Sequence, residues 1–143
     1  MIQLPSAQGG VMLIEALIGI LIFSLGILAM IGMQATAMRA TIDAKYRSEA
    51  GFLVNEIVGR MWVDRANLGT YVTSAASPAD CSGTPPAPAC AWIARVQDLM
   101  PEATGSNVPE ISVSGQQVTV TVRWKRPGDD VVSNHSVVTQ ING

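Results

Sequence analysis

The feature that most constrains this chain is a long stretch without charge near its N-terminus. Ala16 to Met38 covers 23 residues without Asp, Glu, Lys or Arg, and its polar residues are Ser24, Gln34 and Thr36. At about 1.5 Å of rise per residue, such a helix covers roughly 30 Å, the thickness of a bilayer's hydrocarbon core. The stretch therefore predicts a transmembrane helix.

The distribution of charge divides the chain into two parts. Glu15 is the only charged residue among the first 38, although the sequence has 9 basic and 11 acidic residues. The 48% of hydrophobic residues is thus an average over a membrane-like part and a part with soluble composition. The net charge of −2 argues against a protein that binds by neutralising phosphates, so no nucleic-acid partner is implied.

Helical periodicity continues beyond the uncharged stretch. Apolar residues recur at steps of three or four, and oppositely charged residues such as Glu56 and Arg60 alternate with them at i, i+4. This pattern predicts one helix from about residue 12 to about residue 67, ended by Gly69 in the left-handed conformation. The apolar stripe consists of Met38, Ile42, Tyr46, Ala50, Leu53, Ile57 and Met61.

The C-terminal part combines a loop, a short helix and three strands. Proline-rich residues 71–89 predict an irregular loop, and residues 91–100 have the spacing of a short helix before Pro101. After Gly105 the hydrophobic period becomes two, which predicts strands around 111–113, 118–125 and 131–141 with turns between them. An α+β fold follows, in which the stripe of the long helix covers an antiparallel meander. Trp62, Trp92 and Trp124 are predicted to lie in its core.

Two cysteines lie nine positions apart in the predicted loop. A zinc site usually needs four ligands, and His135 is far from both in sequence. A disulfide between Cys81 and Cys90 is the favoured interpretation and implies an oxidising compartment such as a periplasm. Two reduced surface thiols are the alternative.

Catalytic and metal-binding patterns are missing from the sequence. We find no nucleophile–base pair, phosphate-binding loop or metal-ligand cluster. His135 is expected to be a surface or edge residue of a strand. The sequence therefore predicts no catalytic residues, no metal and no cofactor, and the protein is not expected to be an enzyme.

The string GGVMLIEAL at residues 9–17 resembles the class III signal of type IV prepilins. In that signal a glycine precedes the cleavage site and a glutamate is fifth in the mature chain. The resemblance implies a leader of residues 1–10, cleavage between Gly10 and Val11, and Glu15 as that glutamate. Residues 22–28, 46–48 and 59–62 are most similar to PilV-type minor prepilins.

The family resemblance implies a domain organisation and a location. Residues 11–38 would be a single-pass inner-membrane helix that also forms the filament core. Residues 39–143 would be a periplasmic globular pilin domain with a type IV pilin-like fold, comprising the amphipathic helix, disulfide loop, short helix and three-stranded sheet. The prepilin peptidase, an intramembrane aspartyl enzyme, would also methylate the new amine of Val11.

A physical role for Glu15 follows from its place in the span. A carboxylate one turn into a hydrocarbon span costs at least a few kcal/mol, so it usually has a partner. Cleavage after Gly10 creates an α-amino group on Val11 that is mostly cationic at neutral pH. In a stack of subunits, Glu15 of one chain can pair with that amine on a neighbour. Because a wrong register leaves a buried charge unpaired, Glu15 is a candidate for fixing the register of assembly. The alternative is that Glu15 merely lies at the level of the lipid headgroups.

The function expected from the resemblance is that of a minor pilin that helps initiate assembly of a type IV pilus. Its expected partners are other minor pilins, the major pilin, the prepilin peptidase and the inner-membrane assembly platform. The mature subunit would be incorporated into the pilus.

Three alternatives remain at this point. A minor pseudopilin of a type II secretion system has the same features. A periplasmic binding domain with an ordinary signal peptide could be cut after Ala35-Thr36-Ala37, and a plain anchored domain would not be cut. The mature N-terminus would be Val11, Met38 or Met1 for a prepilin, a signal peptide and a plain anchor, respectively. Residues 1–10 contain no Lys or Arg, unlike most prepilin leaders, so either the start lies upstream of Met1 or machinery other than loop charge sets the orientation.

Overall fold

The computed structural model describes residues 9–142. Contacts between Cα atoms divide the chain into two compact units, residues 1–43 and 44–143. The elements along the chain are α1 (Gly9–Val63), a 3-10 helix (Arg65–Tyr71), α2 (Cys90–Leu99), a 3-10 turn (Gly105–Asn107), β1 (Glu110–Ser114), β2 (Gln117–Lys125) and β3 (Val132–Gln140). The predicted α+β layout, with one long N-terminal helix before a small sheet, is confirmed.

The N-terminal unit consists of the first part of α1. From Val11 to Met38 its large hydrophobic side chains are 44–76% exposed. The structure therefore gives this apolar segment no intramolecular core.

The second unit contains the buried core. Ala50, Leu53, Val54, Ile57 and Met61 of α1 are fully buried, which confirms the helical stripe from residue 50 onwards. The earlier members Met38 and Ile42 remain exposed, and Tyr46 is partly buried against the core. The stripe therefore becomes a packing face only in the second unit.

The sheet is a three-stranded antiparallel meander with the order β1-β2-β3. Two residues connect β1 to β2, and Gly115 at φ 61° supplies the left-handed conformation that so short a hairpin turn requires. Alternate residues of β2 are fully buried, which confirms the predicted single buried face: Val118, Val120, Val122 and Trp124. Isolated bridge pairing of Thr73 with Ile111 adds a short segment beside β1.

The end of α1 differs from the prediction. The α-helix stops at Val63, and the chain continues as a 3-10 helix instead of an α-helix to residue 67. Asp64 explains the change, because its carbonyl accepts the N–H of Asn67 at 3.0 Å and its carboxylate accepts the Asn67 amide at 2.7 Å. Gly69 is not left-handed, so its predicted capping role is wrong.

The three tryptophans divide between core and surface. Trp92 and Trp124 are fully buried, as predicted, and Trp92 Nε1 donates to the Leu53 carbonyl oxygen at 2.8 Å. Trp62 is 43% exposed, so its predicted core position is wrong. Its neighbour Met61 occupies the core-facing position of that turn, and consecutive residues of a helix point about 100° apart.

Candidate processing and assembly site

The predicted cleavage junction lies at the beginning of α1. Gly9 and Gly10 are the first two residues of the helix, and the exposed Val11 follows. Residues 1–8, most of the predicted leader, lie outside the described residues. The junction therefore has an exposed side chain on its C-terminal side.

Glu15 lies one helical turn beyond Val11. Residues four apart share one face of a helix, so the Glu15 side chain emerges on the same face as Val11, about 6 Å further along the axis. Glu15 is exposed, and it is the only charged residue between Val11 and Met38. Its surroundings in the chain are exposed apolar side chains, including Met12 and Ile18. Residues 11–38 contain no Lys or Arg, so this segment has no cationic side chain of its own to pair with the carboxylate.

The segment around Glu15 belongs to a helix that is long and apolar enough to cross a membrane. Its most apolar 18-residue window has a mean hydropathy of 2.6, and none of that window is buried. The hydroxyl groups inside it are satisfied by the helix itself, since Ser24 Oγ donates to the Ile20 carbonyl at 2.7 Å and Thr36 Oγ1 to the Gly32 carbonyl at 3.2 Å. Satisfying polar groups internally is what a hydrocarbon environment demands.

Three glycines of this segment have free space around them. A Cβ added at Gly19, Gly26 or Gly32 would meet nothing within 4 Å. Packing among the described residues thus gives no reason for a glycine at these positions. Close approach by a helix of another molecule would give one.

The structure joins the two cysteines. Cys81 and Cys90 form a disulfide bond, as predicted, and Cys90 is the first residue of α2. Two residues later Trp92 packs into the core, so the disulfide ties the proline-rich loop to a fixed point on the folded unit. No cysteine is left free.

Sequence reasoning missed a small hydrogen-bonded cluster around Asp64. Tyr71 Oη donates to Asp64 Oδ2 at 3.2 Å, and burial together with the negative charge of Asp64 raises the pKa of the Tyr71 phenol above its usual 10. Asp64, Asn67, Thr70 and Asp80 line a shallow pocket together with prolines of the disulfide loop. Hydrogen bonds from Ser82 lower the pKa of Asp80. The sequence signal would have been the spacing Asp64-Asn67-Tyr71, in which polar side chains recur at steps of three and four residues.

Side chains that could hold a metal ion do not cluster in threes among the described residues. Residues 9–142 contain no group of three His, Cys, Asp or Glu side chains able to hold a metal ion. His135 is half-buried on β3, and a Cβ at Gly51 of α1 would lie 3.8 Å from its Nε2 atom. It thus lies between the sheet and the helix, on an edge strand as predicted.

Comparison with known proteins adds nothing to these observations, because no family model, no curated protein and no solved structure matches the chain. The fold and site by themselves define a class: an α+β protein with a disulfide-stabilised domain and one N-terminal helix long and apolar enough to cross a membrane.

Proposed function

We propose that this protein is a minor subunit of a type IV pilus, made as a prepilin and cleaved between Gly10 and Val11. The observation that supports this most is the combination at the start of α1. A Gly-Gly pair and a single carboxylate five residues later open the helix, and from Val11 to Met38 its large apolar side chains are all exposed. A filament in which such helices pack together would bury that surface. Each Å² of apolar area removed from water would stabilise the filament by about 25 cal/mol.

Glu15 would act in assembly through its charge. After cleavage and methylation, the Val11 amine is a cation one turn from Glu15 within the same chain and equally available to Glu15 of a neighbour. A pair buried between apolar helices contributes little net stability but strongly disfavours positions that leave either charge unpaired. Glu15 would therefore select the axial position at which this subunit joins other minor pilins and the major pilin.

The free glycine positions fit the same role. Gly19, Gly26 and Gly32 would allow close approach of neighbouring helices in the filament core. The domain that begins after Met38 would lie in the periplasm, where the Cys81–Cys90 disulfide is stable. The prepilin peptidase and the inner-membrane assembly platform would act on the subunit before it joins the pilus.

The signal-peptide alternative is disfavoured by the course of α1. Ala35, Thr36 and Ala37 lie within the α-helix, which continues to Val63. A protease that binds its substrate in an extended form would have to unwind the helix there. A minor pseudopilin of a type II secretion system shares every feature used here and remains the second candidate, supported by the same Gly10–Glu15 arrangement.

The first experiment is determination of the mature N-terminus by mass spectrometry of protein purified from its own membranes. The proposal predicts methylated Val11. A mature chain that begins at Met38 or Met1 would refute it. Gly10→Val is expected to leave the precursor uncut, whereas Gly19→Val, a matched glycine change in open space on the same helix, is expected to be processed normally.

The second experiment measures the amount of this protein in sheared surface filaments. Glu15→Gln keeps the size of the side chain and removes its charge, and it should reduce incorporation at least tenfold. Glu49→Gln, on the same helix but outside the apolar segment, is the matched control and should incorporate normally. Equal incorporation of both variants would contradict the role of Glu15. Filaments that appear only when a secretion system is overproduced would favour the pseudopilin.

A further inference from the structure

The two edges of the sheet differ in what lies beside them. Beyond β1, Thr73 and Ile111 exchange two main-chain hydrogen bonds, at 3.1 and 2.9 Å. Beyond β3, residues 9–142 place no strand and no bridge. An edge strand presents a row of main-chain N–H and C=O groups that lack partners. The edge at β1 is partly covered, and the edge at β3 is open.

The register shows which groups of β3 face outward. Ile111 bonds to Thr73, so its main chain points away from β2 and toward Thr73. Main-chain direction alternates along an antiparallel ladder, and Ile111 is opposite Val120, which is opposite Val137. The main-chain N–H and C=O groups of Val120 and Val137 therefore bond to each other. The main-chain groups of every second residue from Val137 also point toward β2. The hydrogen bond from Ile141 N–H to the Gln116 carbonyl, 2.9 Å long, agrees with this assignment. The residues whose main-chain groups point away from β2 are Val132, Asn134, Ser136, Val138 and Gln140.

This open edge lacks the features that usually protect one. β3 reads VSNHSVVTQ, nine residues without Pro, Gly, Lys, Arg, Asp or Glu. Proline, charge and bulges are the devices by which edge strands avoid pairing with other chains. Val132 and Val138, both outward-facing, are 40% and 58% exposed. The outer edge of β3 thus has none of these protective residues and is partly apolar.

The core beneath the sheet is also incomplete on this side. The side chains of β2 that face α1 are fully buried, whereas their neighbours on β3 are only half-buried. An additional strand beside β3 would place its own inward side chains next to Val137 and His135 and would shield that flank. On its outer side, β3 therefore has no neighbouring strand among residues 9–142 for its main-chain groups or for the flank of its inward side chains.

We propose that β3 binds an extended segment of a different protein, which adds a strand to the sheet. Only a polypeptide main chain in the β conformation matches alternating donors and acceptors at this spacing. The segment would span at least the seven residues opposite 132–138, would need free N–H groups at alternate positions, and would place apolar or β-branched side chains beside Val132 and Val138. The open edge does not depend on the function proposed above.

A second copy of this chain is a poorer occupant. Head-to-tail addition would need a free edge at β1, and Thr73 occupies part of it. Pairing of β3 with β3 of a second copy is the competing arrangement, and adducts with this chain itself would identify it.

Site-specific photocrosslinking of the full-length protein in the cells that make it tests the proposal. Benzoylphenylalanine at 134, 136 and 138 is expected to give adducts with one other protein, and the crosslinked residues should be separated by two along a single segment. The same probe at Ser112, exposed on β1, is the control and should not label that segment. Adducts with this chain itself, adducts at scattered residues or no adducts would each overturn the proposal.

A proline at the open edge provides the second test. Asn134→Pro removes an outward N–H group that has no partner in the described chain, and proline is tolerated at such edge positions. It should leave the unfolding temperature of the domain nearly unchanged and reduce the adduct formed at Ser136 at least tenfold, whereas Asn134→Ala should retain the adduct. Full adduct formation in a folded Asn134→Pro protein would contradict strand addition. If Asn134→Pro does not fold, Asn134→Lys with the same readout replaces it.

Discussion

Similar apolar side chains are exposed in the first compact unit and buried in the second, although α1 contributes to both units. Between Val11 and Met38 the large hydrophobic residues are 44–76% exposed, whereas Ala50, Leu53, Ile57 and Met61 of the same helix are fully buried. The second unit supplies its own core from a sheet and a second helix. The first unit has only itself, so its apolar surface is stable only where the surroundings are apolar. Composition alone does not distinguish these cases; the period of the apolar residues does.

Matched leucine substitutions on α1 test the comparison most strongly. Leu53 is fully buried and Leu25 is 59% exposed. Leu53→Ala should lower the free energy of unfolding of the domain by about 2–5 kcal/mol, because it leaves a cavity. Leu25→Ala should change it by less than about 0.5 kcal/mol. Urea unfolding in detergent, followed by the fluorescence of the buried tryptophans, measures both. Equal effects would mean that the first segment belongs to the folded core.

Removal of the disulfide should have the next largest effect. Replacing Cys81 and Cys90 by Ser opens a loop of about ten residues, and loop entropy predicts a loss of about 2–3 kcal/mol. The effect should be confined to the second unit, which contains both cysteines. A reducing agent should shift the unfolding midpoint of the wild type by the same amount and leave the double variant unchanged. A smaller shift in the wild type would show that the bond is not formed.

Alkaline pH should destabilise the second unit through Tyr71. Burial and the Asp64 carboxylate raise the pKa of this phenol in the folded state, whereas the unfolded chain titrates at its ordinary value of about 10. The folded state therefore binds the proton more tightly, and this contribution is present below pH 10 and is lost as pH rises through the folded pKa. Tyr71→Phe should show a weaker decrease in stability above pH 10. An identical decrease would assign it to other groups.

The ion pair between the two helices should contribute least. Arg95 Nη1 lies 3.0 Å from Glu56 Oε2, and half of the Arg95 side chain is exposed to solvent. Arg95→Ala should cost about 0.2–1 kcal/mol, less at high salt. A double-mutant cycle with Glu56→Gln, measured by urea unfolding, isolates the coupling. Arg60 also pairs with Glu56, so a coupling above about 1 kcal/mol would show that the three charges act together.

Local patterns predicted most of the fold. The uncharged stretch and the stripe gave the long helix, and alternation in VTVTVRW predicted β2 and its buried face. The Cys81–Cys90 pair followed from composition and the lack of other ligands. Trp62 was assigned to the core although the stripe already gave that position to its neighbour Met61. The end of α1 and the bridge at Thr73 were missed because the hydrophobic period does not report them. The end at Val63 depends on the side chain of Asp64, and the bridge depends on a loop returning to β1.

The candidate site was predictable only as a motif. Gly10, Val11 and Glu15 were identified through the resemblance to a prepilin signal, and the structure places Val11 and Glu15 one turn apart on an exposed part of α1. Their proposed chemistry involves a peptidase and other subunits, so a single chain does not contain the contacts that would reveal it. The open edge of β3 required the register of the whole sheet, which sequence alone does not give.

The disulfide loop has a consequence for how this domain can vary. Thr73 holds one end of the loop on β1, and Cys90 with Trp92 holds the other on α2. Most residues between 74 and 88 are exposed, so changes in the number or identity of the residues other than Cys81 alter little that the core depends on. The entropic cost of closing a loop rises only slowly with the length of the loop. This exposed segment can therefore change in sequence and length while the domain beneath it keeps its fold.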